Sequence, residues 1–534
     1  MAKLIKERYL GALLGASIGD ALGWPNEQNS NNIKKNTIIK GQFIDWKRKT
    51  GGRYWPSEET ICAGEYSDDT QLLIATLRSL LKGNQWSRYF RQAELPAWLV
   101  YERGGGGATK RAANCWLKDY SPWDSKYNSD KNISDYFMAG GNGVVMRIMP
   151  HVFGNENNAD IIMKQVLLNG MYTHGHPRAL VGALLYACAL QFLFTLDVTL
   201  EYGRLIQYLL DNKNTWGKLP EVNHIDAWLE CSSIHAKINY VELWDSVIEE
   251  TIEYLITAKK GLELGILDVG NDTLEKLGCF DKEKNGAGNV TTVISIYLFS
   301  KYASSPMSAL LETVNLKNSD TDTIASLTGG LVGAIHGEQW MPVEYRILQD
   351  YEVFDILLSK FLNGQDDIVT NAKNYKLLSK NLATSLKVGD SIEVLPFGNI
   401  KLIDVRKEKA FAKDMYADTY ICKTSYNQTL FIKKVGKMKD VINISEQNVE
   451  LPIENQGINV NFNRTVLMQL HHIFIKADNA SDFLNIIGSI IELIEKGVEL
   501  KKCDMDSLRE QWGKYKITKK QLESAYKLLK NEVI

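Results

Sequence analysis

Two short acidic motifs carry the side chains with the clearest chemical potential in this chain. Residues 67–70, Ser-Asp-Asp-Thr, and residues 320–323, Asp-Thr-Asp-Thr, each place two carboxylates and hydroxyls directly before an apolar, helix-like run. A helix N-terminus needs only one such capping residue, whereas neighbouring carboxylates repel each other unless a cation lies between them. Oxygen ligands of this kind suit Mg²⁺ or Mn²⁺. The pair therefore predicts two halves of one binuclear site, and simple helix capping is the alternative for either motif alone.

Two glycine-rich stretches are further candidates. Residues 104–107 are four consecutive glycines that run into a predicted helix over 109–117. Backbone N–H groups at such a helix start suit a pyrophosphate, although no Gly-Lys-Ser/Thr follows and a Walker A loop is excluded. Residues 139–143, Ala-Gly-Gly-Asn-Gly, form a second such loop. A flexible turn is the alternative for the first stretch.

Composition excludes several classes of protein. The 534 residues include 62 Lys and Arg against 64 Asp and Glu, a net charge of −2, so a strongly basic nucleic-acid binder and a disordered chain are both disfavoured. The seven cysteines are scattered without a CxxC pair, which indicates neither a zinc ribbon nor a disulfide framework. The charged N-terminus does not suit a signal peptide. We therefore expect a cytoplasmic protein.

One apolar segment raises the question of a membrane span. Residues 179–196 are interrupted only by Gln191, and their length is near the lower limit for a spanning helix. A central helix that is buried on all sides has the same composition. We favour the buried helix and expect no membrane partner.

Small residues recur every fourth position in three segments of the first two-thirds of the chain. Positions i and i+4 share one helix face, and glycine destabilises a helix by about 1 kcal/mol relative to alanine. The stripes therefore predict helices whose backbones approach closely, within an all-α bundle that ends near residue 365. Glycines 23 and 337 have helix termination as an alternative. The stripes are Gly11, Gly15, Gly19 and Gly23; Gly329, Gly333 and Gly337; and Ala179, Ala183 and Ala187.

Composition shifts at residues 363–376, where we place a boundary between domains 1–365 and 377–534. The second domain combines predicted strands with a helical segment at 482–500 and no catalytic constellation, so we expect an α+β accessory domain that selects the substrate or mediates assembly. Its lysines could form a basic face, but interspersed acids favour an ordinary solvated surface. The predicted strands cover 391–394, 399–405, 419–423 and 429–433.

The order of the motifs resembles the ADP-ribosylglycohydrolase family over about residues 5–345. The resemblance depends on the glycine-rich residues 11–23, on 67–70, 141–147 and 173–174, and on 320–323. It implies an all-α fold with two divalent cations, Mg²⁺ or Mn²⁺, that cleaves the glycosidic bond between ADP-ribose and its acceptor. It thus implies an enzyme that reverses ADP-ribosylation of a protein or nucleic acid. A non-catalytic ADP-ribose-binding module that recruits partners is the alternative, and the complete ligand set disfavours it.

The resemblance also implies roles for individual residues. Glu27, Asp68 and Asp322 are the catalytic candidates, and Glu27 is either a general acid/base, a movable metal ligand or an ordinary loop glutamate. Arg147 is expected to be a structural ion-pair residue. The implied metal ligands are Ser67, Asp68, Asp69, Asp320, Asp322 and Thr323, and the implied ADP-ribose contacts are Gly105, Gly106, Gly107, Gly141, Asn142, Gly143 and His174. For Asn142, holding the turn of the second glycine loop is the alternative. The acceptor stays open between arginine, serine, a nucleobase and a small molecule.

Overall fold

Helices make up most of the first 365 residues, as the sequence predicts. The computed structural model describes residues 2–27, 38–197, 199–265, 271–365 and 376–437, together with 490, 525 and 526. The helices are α1 (Ala2–Gly23), α2 (Asp68–Leu80), α3 (Trp86–Tyr89), α4 (Leu95–Tyr101), α5 (Gly107–Leu117), α6 (Asp130–Phe137), α7 (Ala159–Met171), α8 (Pro177–Thr195), α9 (Arg204–Asp211), α10 (Lys213–Trp216), α11 (Ile225–His235), α12 (Tyr240–Leu264), α13 (Asp272–Lys276), α14 (Gly288–Lys301), α15 (Pro306–Val314), α16 (Thr321–His336), α17 (Tyr351–Leu362) and α18 (Lys380–Ala383).

Helices α1 and α16 pack antiparallel with their backbones in contact, which confirms the predicted role of the glycine stripes. A Cβ atom on Gly15 would lie within van der Waals overlap of the carbonyl of Gly329, and one on Gly11 would overlap the backbone of Gly337. Gly23 ends α1 and also contacts the backbone of Thr321. Gly23 therefore fits both interpretations, since it ends the helix and also allows close packing of the two backbones. The antiparallel pairing brings the C-terminal end of α1 to the N-terminal end of α16.

Helix α8 is the apolar segment noticed in the sequence. It is the one helix in the described part of the chain that is long and apolar enough to cross a membrane, judged by length and composition alone, and 83 % of its apolar window is buried. A Cβ on Gly182 would overlap the backbone of Gly288 in α14, so these two helices also pack closely. Such burial is typical of the central helix of a helical bundle.

A small antiparallel sheet interrupts the helical region, where the sequence analysis expects only helices. Strand β1 (Trp46–Thr50) pairs with β2 (Ser57–Ile61), with Trp46 opposite Ile61. Trp46 packs edge-on against Trp24 at a ring distance of 5.1 Å. The strands are short and largely charged, so they lack the long apolar alternation by which a strand is recognised.

A five-stranded sheet follows the helices, and its strands confirm the four predicted ones. Strands β3 (Lys376–Leu377), β4 (Ser391–Leu395), β5 (Gly398–Glu408), β6 (Met415–Thr424) and β7 (Thr429–Lys437) lie in sequence order, antiparallel except for the parallel pair β3 and β4. Its inner face joins α2 and α4 in one apolar cluster, where Phe397 packs edge-on against Tyr101.

The chain divides into two compact units, residues 1–438 and 439–534. This division lies beyond the boundary that we predict at 365–377, because the sheet shares an apolar core with the helices. The accessory role of residues 377–534 stays a prediction. The helical segment predicted at 482–500 lies outside the described residues, apart from residue 490.

Candidate metal centre

Three carboxylates meet where α1 ends and α16 begins. Glu27 follows the 3₁₀ turn at the end of α1, Asp320 precedes α16, and Asp322 lies in its first turn. Each offers an oxygen, and these three oxygens lie within 4.8 Å of one another. The antiparallel packing of α1 on α16 thus assembles a triad from residues that are about 300 positions apart in the sequence. Glu27 and Asp320 are partly buried and Asp322 is buried.

The first acidic motif begins α2 and is held in place by a residue that the sequence analysis did not assign. Asp20, fully buried in α1, accepts hydrogen bonds from the backbone N–H of Ser67 at 3.1 Å and of Thr70 at 3.0 Å. It also accepts one from the Thr70 hydroxyl at 2.6 Å. Ser67 caps the helix by accepting from the N–H of Asp69 at 3.2 Å. The signal that points to Asp20 is a single carboxylate among the small and apolar residues 9–23 of α1.

Asp69 supplies the observation that fits a cation most directly. Its Oδ2 atom is buried and has no hydrogen-bond partner among the described residues. A buried carboxylate oxygen without a donor is costly, and a divalent cation ligated by hard oxygens removes that cost. Asp69 lies beside the other acids, since the charges of Asp20, Asp68 and Asp320 all raise its pKa. Asp68 and Asp69 are not members of the close triad of oxygens.

The electrostatics of the cluster favour bound positive charge. Burial, then the charges of Asp320 and Asp20, raise the pKa of Glu27 to about 8, although Arg48 opposes the shift. Burial and the charges of Glu27 and Asp320 raise the pKa of Asp322 well above its usual range. A cation between the carboxylates would reverse these shifts, because it favours the ionised forms.

Asn142 positions one of the acids. Its side-chain amide donates to Oδ2 of Asp320 at 2.8 Å and to the hydroxyl of Thr291 at 3.2 Å, while its backbone N–H donates to the carbonyl of Gly286. The amide nitrogen therefore orients Asp320 in this structure. A direct contact of Asn142 with ADP-ribose stays a prediction.

The four-glycine stretch lies against the first acidic motif. Gly104 has a φ of +107°, and a Cβ there would lie 2.9 Å from Oδ1 of Asp68, so this position requires glycine. Gly105 is buried against the indole of Trp98, whereas Gly106 and Gly107 are exposed at the start of α5. The loop is held by Glu102, whose carboxylate accepts from the N–H of Gly105 at 3.0 Å.

The second glycine loop lies against His174. A Cβ on Gly143 would contact the imidazole of His174 at 3.1 Å, and Gly141 bridges to Ala287. Burial, followed by the charges of Arg147 and Arg111, lowers the pKa of His174 to about 3, so the ring is neutral near pH 7. A cavity of about 240 Å³ next to both loops is lined by residues that include Ala108, Arg111, Tyr136, Ala139 and Thr173.

Arg147 differs from its expected role. It is fully buried, but no acidic partner lies within ion-pair distance among the described residues. Its guanidinium donates instead to Asn169, to the carbonyl of Gly143 and to the hydroxyl of Thr173. Arg147 therefore has a structural role, as expected, but without the expected ion pair. Its hydrogen bonds to neutral acceptors connect the second glycine loop to α7.

The structure thus brings the two acidic motifs and Glu27 to one place, next to both glycine loops and His174. Such a cluster of carboxylates can hold divalent cations, and Glu27 can carry a proton at its rim. A sequence model described as ADP-ribosylglycohydrolase matches residues 1–369 of the chain.

Two curated proteins are similar to the same region. An ADP-ribosylhydrolase ARH3 from Xenopus tropicalis is 23 % identical over 361 residues, which cover 64 % of this chain and 90 % of the relative. An ADP-ribosyl-[dinitrogen reductase] glycohydrolase from Rhodospirillum rubrum is 22 % identical over 340 residues, 63 % of this chain and 88 % of the relative. A solved structure titled "ADP-ribosylglycohydrolase-related protein complex" aligns with a TM-score of 0.42 and 20 % identity, over 68 % of this chain and all of that one.

Proposed function

The chain belongs to the ADP-ribosylglycohydrolase family, and from this we propose that it is a metal-dependent hydrolase that releases ADP-ribose from a modified protein or nucleic acid. The observation that carries the proposal is the triad of Glu27, Asp320 and Asp322, whose oxygens lie within 4.8 Å of one another. The triad lies inside the region that matches the family. Without a cation, these three close acids, two partly buried and one buried, would be held together against their mutual repulsion.

The residues that would hold the ions are those of the two acidic motifs: Ser67, Asp68, Asp69, Asp320, Asp322 and Thr323. We favour two cations, Mg²⁺ or Mn²⁺, because the ligands form two groups and all are hard oxygens. Bound divalent cations lower the pKa of a water and orient hydroxyl groups of the substrate. The unpartnered Oδ2 of Asp69 is an available ligand atom for this purpose.

The protein's own residues would contribute in three ways. Glu27 would take a proton from the attacking water and return it to the leaving group, because it is the carboxylate of the triad that lies outside the two acidic motifs. The anionic cluster would stabilise the positive charge that develops on the ribose as the glycosidic bond breaks. Asp20 and Asn142 would hold the two motifs in the positions that metal binding requires. Asp20 hydrogen-bonds to the first motif and Asn142 to the second.

The ligand would extend from the acidic cluster toward the two glycine loops. Gly106 and Gly107 expose the start of α5, where backbone N–H groups suit a pyrophosphate. Gly143 and the neutral His174 would line the rest of the pocket. The two relatives, an ADP-ribosylhydrolase and an ADP-ribosyl-[dinitrogen reductase] glycohydrolase, support an ADP-ribosylated macromolecule or an ADP-ribose derivative as the partner. We place the activity in the cytoplasm, where scattered cysteines stay reduced.

Turnover on defined substrates tests the proposal. Peptides modified on arginine or serine and ADP-ribosylated oligonucleotides would be incubated with Mg²⁺, Mn²⁺ or EDTA, and released ADP-ribose would be quantified. We expect release from at least one substrate with a metal and none with EDTA. Tight binding of free ADP-ribose without release from any substrate would support a non-catalytic binding module and contradict the proposal. The same panel identifies the acceptor.

A further inference from the structure

The five-stranded sheet is connected to the surroundings of the first acidic motif at three places. We propose that residues 376–437 position this motif for metal binding, through side chains of the strands and of the turns between them, rather than serving only as an accessory module. The proposal rests on the proposed metal centre. It concerns three attachments, which reach the residue before Ser67, the body of α2 and the glycine loop behind Asp68.

The first attachment runs through Asp350, whose side chain is fully buried. Its carboxylate accepts from the backbone N–H of Thr429, at 2.8 and 2.9 Å to its two oxygens, and from the Thr429 hydroxyl at 2.7 Å. The same carboxylate accepts from the hydroxyl of Tyr66 at 2.7 Å. Tyr66 directly precedes Ser67, so one buried carboxylate joins the start of β7 to the first ligand of the motif.

The chain next to Asp350 strengthens this connection. The N–H of Gln349 donates to the carbonyl of Gly64 at 2.9 Å. Gly64 has a φ of +85°, and a Cβ there would lie 2.7 Å from the carbonyl oxygen of Ile347. Residues 347–350 therefore contact the segment that precedes Ser67, through Gly64 and Tyr66. The sheet holds residues 347–350 through the hydrogen bonds between Thr429 and Asp350.

The second attachment reaches α2 itself. Arg78, in the last turn of the helix, is fully buried and pairs with the equally buried Glu94 at 2.7 Å. The remaining guanidinium nitrogen donates to the side-chain oxygen of Gln428, and the ring of Phe397 lies 4.5 Å from the guanidinium carbon. A buried guanidinium needs all of these partners. The sheet thus sets where the C-terminal end of α2 lies.

The third attachment reaches the glycine loop behind Asp68. Arg103, the residue before Gly104, is buried and pairs with Glu59 and Glu65, each at 2.8 Å. Strand β5 contributes Arg406, which pairs with the same Glu65 at 3.4 Å, and strand β7 contributes Phe431, whose ring lies 4.2 Å from the Arg103 guanidinium. The loop that packs on Asp68 is therefore held from the sheet side.

The three attachments converge on a site that is sensitive to small displacements. When a residue that hydrogen-bonds to a metal ligand is lost, the metal affinity of a protein typically falls 10–100-fold. The three attachments act one step further from the ligands. The second motif is held differently, since α16 packs on α1 and Asn142 hydrogen-bonds to Asp320. The sheet is therefore expected to tune the half of the centre that Ser67, Asp68 and Asp69 form.

Two substitutions in the full-length chain test the proposal. Thr429→Ala removes the hydroxyl on Asp350, and Tyr66→Phe removes the other hydroxyl on the same carboxylate. We expect each to raise the Mn²⁺ concentration for half-maximal binding about three- to tenfold, measured by calorimetry, in line with the loss of one buried hydrogen bond. Thr429→Ser, which keeps the hydroxyl, should restore the wild-type value.

Tyr9→Phe is the matched control, because Tyr9 is equally buried and its hydroxyl accepts from Gly154 near the opposite end of α1. It should lower the unfolding temperature without changing Mn²⁺ affinity. If Thr429→Ala and Tyr66→Phe behave like Tyr9→Phe, the sheet only stabilises the fold and the proposal is wrong while the metal centre stands. A wild-type protein that binds no Mn²⁺ overturns the metal centre and, with it, the positioning role.

Discussion

Asp20 and Thr70 are joined by a buried hydrogen bond of 2.6 Å that ties α1 to the first turn of α2. The same carboxylate accepts from two backbone N–H groups of the first acidic motif. These hydrogen bonds hold the backbone of the motif, and Asp20 is therefore a positioning residue. The geometry of Ser67, Asp68 and Asp69 depends on it.

Replacing Asp20 by asparagine should weaken metal binding. The amide keeps one acceptor oxygen but turns a donor NH₂ toward the N–H groups that Asp20 now accepts from. Loss of a charge-assisted hydrogen bond costs about 1.5–3 kcal/mol, so we expect the Mn²⁺ concentration for half-maximal binding to rise about tenfold or more. Asp245→Asn, at an exposed position of α12, is the control. An unchanged Mn²⁺ titration would show that Asp20 has no influence on the centre.

Removing Asp322 should abolish hydrolysis while the fold remains. We expect Asp322→Ala to reduce turnover more than about 100-fold, beyond the loss typical of an outer partner of a metal site. Because Asp322 is a buried acid among acids, the metal-free variant should unfold at the same or a higher temperature than the wild type. Turnover assays and circular dichroism check both expectations, with Asp245→Ala as control. Normal turnover in Asp322→Ala would refute the assignment of the ligands.

Glu27→Gln separates proton transfer from binding. The amide keeps the shape of the side chain but cannot take up a proton, so we expect turnover to fall about 10²–10⁴-fold. The dissociation constant of ADP-ribose should change less than about threefold, measured by calorimetry. Glu253→Gln, on the exposed face of α12, is the control. If Glu27→Gln turns over at the wild-type rate, Glu27 is a spectator and catalysis depends on the other acids.

The acidic cluster makes stability depend on pH in a defined direction. The pKa of Glu27 is raised from 4.5 to about 8, so the folded state keeps a proton that the unfolded state releases above its ordinary carboxyl pKa. The free energy of unfolding of the metal-free protein should therefore fall as pH rises from about 4.5 to 8. Divalent cations replace the proton, and the stabilisation that they confer should grow over the same range.

Thermal unfolding at pH 5, 6, 7 and 8, with EDTA or with Mn²⁺, measures this dependence. The increase in melting temperature on adding Mn²⁺ should be smallest at pH 5 and largest at pH 8. The same series on Asp322→Ala should show a weaker dependence, because one of the interacting acids is missing. A metal effect that is constant across the series would contradict the electrostatic account of the cluster.

Much of the fold follows from local patterns in the sequence. The four-residue spacing of glycine in α1 and α16 predicts close helix packing, and the structure confirms it between Gly15 and Gly329. The strands at 391–433 follow from turn residues and β-rich composition. The sequence did not predict the hairpin of β1 and β2, because its short strands lack an alternating apolar pattern. In the structure, Trp46 of this hairpin packs against Trp24.

The candidate site likewise has residues that the sequence analysis identifies and residues whose roles only the structure shows. The acids of both motifs were recognisable because clustered carboxylates before a helix are chemically distinctive, whereas Glu27 became a candidate only through the family resemblance. Sequence patterns did not assign Asp20, and they did not foresee the hydrogen bond from Asn142 to Asp320. Arg147 was expected to form an ion pair and instead uses neutral acceptors. A side chain's partner is set by neighbours from distant segments, which local spacing does not encode.

The sequence by itself determined which chemical groups the protein has and which helix faces lack bulk, since both depend only on residue type and on the 3.6-residue period of a helix. The tertiary structure decided that Glu27 meets Asp322, because this requires α1 and α16 to pack antiparallel across about 300 residues of intervening chain. It also decided that the sheet joins the helical unit, through the buried charges of Arg78 and Arg103. Buried charges must find partners wherever the fold provides them, and only the folded chain shows where that is.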